Sequence, residues 1–130
     1  MSTKTPAIDF ERLDHLQLCI PIGLEKEARA FYCGLLGLKE IEKPEFLNKN
    51  GGFWLKLGNI GLHIGAEDLE NKSKRHPAFQ INNFDEFQKF LREQNIRHGV
   101  DKEIRGVRRI SFFDPFNNRI EVLDKGIPFE

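Results

Sequence analysis

Asp114-Pro115-Phe116-Asn117-Asn118-Arg119-Ile120-Glu121-Val122-Leu123-Asp124 reads as a tight turn feeding a strand. Proline presets one backbone angle and asparagine tolerates the left-handed region, so Asp114 to Asn118 reverses the chain. Beyond the turn the residues alternate. Ile120 and Val122 fall on one face, Arg119, Glu121 and Leu123 on the other, as a half-buried strand requires. Glu121 is thus a carboxylate between two core-facing aliphatics. Alone it reads as a solvated glutamate on an edge strand. Its weight comes from three histidines that occupy the same kind of position elsewhere.

Working outward, the same alternation recurs. Leu62 and Ile64 oppose Gly61, His63 and Gly65, after a Phe53–Leu57 strand and a Gly58-Asn59 turn signal. From Leu13, His15, Gln17 and Cys19 oppose Leu16, Leu18 and Ile20. Between these lie a helix over Leu24 to Leu36, a short strand over Lys39 to Lys43 and a loop from Pro44 to Gly52. The helix shows a Leu24, Ala28, Phe31, Leu35 stripe, acids in its first turn and Gly37 at its end. The second half begins with His76, Ala78 and Gln80 alternating with Pro77, Phe79 and Ile81. Asn83 and Glu86 have the spacing of a capping box. Phe84, Phe87, Phe90 and Leu91 give the next helix its stripe, and Asn95 ends it. A weak strand over Gly99 to Glu103 and a firmer one over Arg108 to Phe113 complete the set.

The order is strand, helix, three strands, twice over, which is an internal repeat of a supersecondary unit. It predicts an α+β fold of two tandem βαβββ modules forming a curved mixed sheet around a cavity. One domain over 1–130 holds module 1 at about 12–66, a polar linker at about 67–75 and module 2 at about 76–125. A polar arm occupies 1–11. Superposing the halves sets His15 on His76, His63 on Glu121 and Trp54 on Phe112.

Charge bounds the partners. Twenty basic and twenty acidic residues balance to zero, so nucleic acid and anionic membranes, which call for a basic surplus, are not expected. No apolar run has the length of a membrane span. The start, Met1 to Pro6, lacks the apolar stretch of a secretion signal. Cys19 and Cys33 show neither CxxC spacing nor a disulfide framework, which points to a reducing, cytoplasmic home. Twelve phenylalanines supply an ample core.

Two units related by a pseudo-twofold would deliver His15, His63, His76 and Glu121 to one concavity. Imidazole nitrogen and carboxylate oxygen suit Zn²⁺, Fe²⁺, Ni²⁺ or Mn²⁺, and strands hold such a set rigidly. The glycines beside His63 would leave room for a substrate. Any one of these histidines taken alone is more often a core or surface residue than a ligand. The repeat-related placement is what favours a metal site. His98 reads as an exposed turn residue. Cys19 reads as a small core residue before a reactive thiol. Trp54 is either a substrate platform or core. Arg108 and Arg109 either clamp an anionic substrate or are solvated, and Lys74 with Arg75 invite the same two readings.

Leu13-Asp14-His15-Leu16, Ala30-Phe31-Tyr32, Leu35-Leu36-Gly37-Leu38, His76-Pro77-Ala78-Phe79 and Asp114-Pro115-Phe116 leading to Glu121 together resemble the vicinal oxygen chelate superfamily. That superfamily includes glyoxalase I, fosfomycin-resistance thiol transferases, extradiol dioxygenases and bleomycin-resistance proteins. The resemblance spans about Leu13 to Asp124. It implies a glyoxalase-like fold and a divalent ion (Zn, Ni, Fe, Mn or Mg) held by His15, His76 and Glu121. His63 stands on the strand that gives glyoxalase I a fourth ligand. That strand position carries a proton-moving glutamate there, so His63 is read here as ligand or base, and Glu121 and His63 as the catalytic pair. Gln17 replaces a threonine two residues past the first histidine. It joins Trp54, Arg108 and Arg109 as a substrate-binding candidate, while Ser111 stands where the fosfomycin enzymes have a tyrosine. The implied activity is lyase, isomerase or thiol-transfer chemistry on adjacent oxygens of a small molecule, in a homodimer. The alternatives are an extradiol-type iron dioxygenase and a metal-free binding protein of the bleomycin-resistance kind.

Overall fold

The computed structural model describes residues 7–68, 70 and 72–129. The first six residues of the polar arm, and Leu69 and Asn71 of the linker, lie outside the described residues. Eight strands and two helices follow in the expected order: β1 (His15–Pro21), α1 (Glu25–Arg29), β2 (Lys39–Ile41), β3 (Phe53–Leu57), β4 (Ile60–Glu67), β5 (Ala78–Gln80), α2 (Phe84–Glu93), β6 (His98–Ile104), β7 (Val107–Phe113) and β8 (Arg119–Leu123). The repeat is real at the level of pairing. One sheet runs β1-β4-β3-β2 and the other β5-β8-β7-β6, the same order one module later. In each, the first strand is parallel to the last and the remaining pairs are antiparallel. Strands β1 and β5 are therefore edges of their sheets, and on the outer edge of β1 the Cys19 carbonyl accepts from the Asn118 amide of the second module.

Local chemistry explains most of the boundaries. Gly37, Asn95 and Asn117 adopt positive φ at the ends of the first helix, of α2 and of the Asp114 turn. Arg105 and Gly106, both at positive φ, make the two-residue hairpin between β6 and β7. Gly52 admits no other residue: at φ +79 a Cβ there would collide with the Ile64 carbonyl oxygen. Asn83 opens α2, but its amide donates to Glu86 Oε2 at 3.3 Å instead of capping the backbone. The loop from Pro44 contains a 3₁₀ turn over Glu45–Asn50, and His76 stands just ahead of its strand.

The first helix departs from the sequence pattern. After α1 the chain widens into π geometry over Ala30–Leu35, with Leu36 N–H donating to the Phe31 carbonyl. The extra residue rotates the face, so the neighbours Phe31 and Tyr32 both point inward, edge to face at 5.0 Å. Tyr32 is fully buried, whereas Leu35, expected in the stripe, is 40% exposed.

Leu55, Leu62, Ile64, Ile110, Ile120 and Val122 turn inward from the two sheets and join Phe31, Tyr32, Phe84 and Leu91 in one core. Each such side chain contributes about 1.5–3 kcal/mol by leaving water. An apolar cleft of about 550 Å³ separates the modules on this side, lined by residues such as Leu57, Phe79, Phe87 and Val122. The polar residues lie on the other faces of the sheets. No helix among the described residues is long and apolar enough to cross a membrane.

Candidate functional site

Register decides which side chains meet, because residues opposite one another in a sheet share a face. In the first sheet one row reads Gln17, His63, Trp54, Ile41 across β1, β4, β3 and β2; the next reads His15, Gly61, Lys56, Lys39. In the second, one row reads Ala78, Glu121, Ser111, Gly99 and the next Gln80, Leu123, Arg109, Asp101. His76, two residues before Ala78, stands level with Arg119. His15 and His63 are therefore related across their strands as His76 and Glu121 are.

Three aromatic rings stand in a stack on the first sheet. Trp54 and His63 are parallel with centroids 4.0 Å apart, and His63 and His15 follow at 4.1 Å and 18°. Burial lowers the His63 pKa, and the neighbouring His15 lowers it further, so His63 is held toward its neutral form. Asp14 Oδ2 lies 2.9 Å from His15 Nδ1 and also belongs to the set. The bond to His15 holds the Asp14 carboxyl below its ordinary range. A cavity of about 470 Å³ opens over His15, Trp54, Lys56, Gly61 and His63.

On the second sheet, Glu121 is buried on its strand, with 6% of its side chain exposed. Arg109 Nη1 donates to its Oε1 at 2.8 Å, Arg119 lies at 3.5 Å and His76 Nε2 at 3.8 Å. His76 Nδ1 is 2.9 Å from the Lys74 carbonyl oxygen. Beside Glu121 in the same row, Ser111 donates to Asp101 at 2.6 Å and receives Arg119 Nε at 3.0 Å.

The four expected residues are thus brought together as two pairs. Among the described residues no three of His, Cys, Asp and Glu gather closely enough to hold a metal ion. Other expectations are revised by the register. Arg108 lies off the site face, bound to Asp85 and Asp124 and stacked 4.6 Å over Phe84, where it straps α2 to β8. Trp54 corresponds to Ser111, not Phe112. Trp54 pairs with His63 as Ser111 pairs with Glu121, and Phe112 is buried against Phe87. The glycines beside His63 serve the protein's own side chains. A Cβ on Gly65 would lie 2.6 Å from the Gln17 amide, and one on Gly61 would lie 3.2 Å from His15 and 3.3 Å from His63 Nε2. His98 opens β6, half-buried, its Nδ1 2.6 Å from the Ile96 carbonyl. Cys19 lies beside Gln17 on the site face, its thiol pKa pushed up by burial and by Glu67. Sequence reading missed Asp14, although it adjoins His15, and Arg119, although it shares the parity of Glu121.

The Glyoxalase/Bleomycin resistance protein/Dioxygenase superfamily model matches residues 12–122, and the chain belongs to that superfamily. A Bacillus anthracis protein described as a member of the glyoxalase family is 44% identical. It superposes with a TM-score of 0.84 over 91% of this chain and 98% of that one. A glyoxalase/dioxygenase from Nostoc punctiforme is 22% identical (TM-score 0.73; 95% and 97% covered). The fosfomycin resistance protein FosX from Listeria monocytogenes shares the fold at 20% identity (TM-score 0.72; 88% and 92% covered). That structure is of a mutant form complexed with Mn(II) and 1S,2S-dihydroxypropylphosphonic acid. No curated protein matches the sequence.

Proposed function

We propose that the protein is a divalent-metal-dependent enzyme that chelates adjacent oxygens of a small anionic substrate. Each site would be built from two copies, with His15 from one and His76 and Glu121 from the other. A single observation carries this reading. Both histidines have Nδ1 engaged by an oxygen, Asp14 Oδ2 for His15 and the Lys74 carbonyl for His76, each at 2.9 Å. That arrangement fixes the tautomer with Nε2 free for a metal, as oxygen partners behind metal-bound histidines do. Two imidazoles and a carboxylate fit Mn²⁺, Fe²⁺, Ni²⁺ or Zn²⁺. A second copy aligned along the β1 and β5 sides of the sheets would bring the pairs together. Mn(II) in the FosX mutant supports a divalent ion on this fold.

When bound, such an ion supplies Lewis acidity that stabilises an enolate or oxyanion. His63 is assigned as the proton acceptor and not as a fourth ligand. Its ring is stacked on His15 at 4.1 Å, and two stacked rings cannot both aim in-plane lone pairs at one ion. Trp54 holds the other face of His63, so its nitrogen is fixed over the cavity. Arg109 and Arg119 set positive charge beside Glu121 for an anionic substrate. Lyase, isomerase and thiol-transfer chemistry are all compatible with this set. Removal of His63 from the ligand set also leaves the two-histidine, one-carboxylate triad of iron oxygenases as a second reading. Oxygen uptake with catechols after anaerobic Fe²⁺ loading separates the two.

Mixing two inactive variants tests the shared site. His15→Ala and Glu121→Ala should each abolish tight Mn²⁺ binding. Co-refolded at equal amounts, they should recover about a quarter of the wild-type sites, because each mixed dimer rebuilds one intact site and ruins the other. Tight binding retained by either variant alone, or no recovery in mixed dimers isolated by differential tagging, would refute it.

A further inference from the structure

We propose that Lys56, backed by Lys39, binds an anionic group of the substrate at the end of the cavity away from the metal ligands. The inference rests on the shared-metal reading above and adds what the substrate must carry. Lys39 lies directly opposite Lys56 across β2 and β3. Both lysines are exposed, and like charges in that position repel, which an anion between them would relieve. Neither lysine has an ion pair or a side-chain hydrogen bond among the described residues. Lys39 alone would serve as a guard on the β2 edge. That explanation does not extend to Lys56, which sits on the inner strand β3.

Position relates Lys56 to the chemistry. Gly61 lies between it and His15 in one row of the site face, and Lys56 lines the same cavity as His15, His63 and Trp54. Arg12 adds a second cation to that lining. Asp14 is its acidic member, and it is already engaged by Arg12 at 3.2 Å and by His15. The cavity therefore carries an unspent positive charge. Two strand spacings separate His15 from Lys56, about 10 Å at the backbone, and a lysine side chain leans readily across part of that span. His63 Nε2, 3.3 Å from where a Gly61 Cβ would sit, stands over the intervening ground. A substrate chelated near His15 with a carboxylate or phosphate on Lys56 would pass directly over His63.

Calorimetry on Mn²⁺-loaded protein tests this with catechol, 3,4-dihydroxybenzoate, 3-(3,4-dihydroxyphenyl)propanoate and 3,4-dihydroxyphenylphosphonate. The anionic probes should bind about tenfold tighter than catechol. The better of the carboxylate and phosphonate arms identifies the anion. Lys56→Gln should remove that advantage while leaving catechol and Mn²⁺ affinities unchanged, and Lys39→Gln should remove part of it. Equal binding of all probes, or an equal loss of all probes in Lys56→Gln, overturns the proposal. Failure to bind Mn²⁺ sinks the metal reading instead. The subsite is then judged on metal-free protein with 3-phenylpropanoate against 3-phenylpropanol. A Lys56-dependent preference for the acid supports it, and no preference overturns it.

Discussion

The Tyr32 hydroxyl donates to Asp114 Oδ2 at 2.6 Å and so joins the first helix of one module to the turn that launches β8 in the other. Asp114 also accepts from the backbone N–H groups of Phe116 and Asn118 and from the Asn118 amide. That amide in turn donates to the Cys19 carbonyl of β1. The turn that aims Glu121 is thus held by residues of both modules.

Tyr32→Phe removes one hydrogen bond to a buried carboxylate and keeps the ring. Bonds to such groups contribute about 2 kcal/mol, so the melting temperature should fall by roughly 6 °C. Because the same link orients β8, Mn²⁺ affinity should weaken as well. Differential scanning calorimetry with a Mn²⁺ titration checks both, and an unchanged melting temperature would mean the bond is replaced by water.

Alkaline pH should unlock the same contact. Burial first, and the charge and hydrogen bond of Asp114 after it, raise the Tyr32 pKa well above its ordinary 10.0. A group whose folded pKa is raised binds its proton more tightly in the native state. Its stabilisation is complete below pH 10 and is lost as pH climbs from there toward the folded value. Tyr32 is the single tyrosine, so phenolate absorbance reports it alone. The phenolate should appear only with unfolding. Reversible ionisation near pH 10 in protein that keeps its far-ultraviolet dichroism would contradict this.

Much of this arrangement was legible because strands write their faces as a period of two. His15, His63 and Glu121 fell on the predicted faces since each alternates with aliphatics that must enter the core. The same period carries no information about which strand edges meet, so the gathering of four residues in one chain became two pairs on two sheets. Residue parity is also fragile, because repeat-related strands carry no mark of their exact register. One residue of slip exchanged Ser111 for Phe112 as the counterpart of Trp54, and with it a site face for a core face. Tyr32 belongs to the Ala30-Phe31-Tyr32 motif but falls outside the predicted apolar stripe, because π geometry breaks the 3.6-residue period. Arg108 and Arg109 are adjacent in the sequence and look equivalent there. Only the strand sends one to Asp85 and the other to Glu121.

Arg109 gives the sharpest test of how Glu121 is used. Its guanidinium is anchored by Nε donating to the Lys102 carbonyl at 2.9 Å, while Nη1 holds Glu121 Oε1 at 2.8 Å. Side-chain exposure is 17% for the arginine and 6% for the glutamate, so the pair is little screened. Without metal, Arg109→Met leaves a buried carboxylate that, among the described residues, has the more distant Arg119 and His76 for compensation. The apo protein should lose about 2 kcal/mol. A cation bound at Glu121 experiences the opposite effect. The guanidinium would compete with such an ion for the Glu121 carboxylate and repel it across a few ångströms of low dielectric. Its removal should therefore raise Mn²⁺ affinity by about fivefold, or roughly 1 kcal/mol. The melting temperature of apo Arg109→Met should drop, and the gain on adding Mn²⁺ should exceed that of the wild type. Weaker Mn²⁺ binding by the variant would mean that Arg109 orients Glu121 for the ion instead of competing with it.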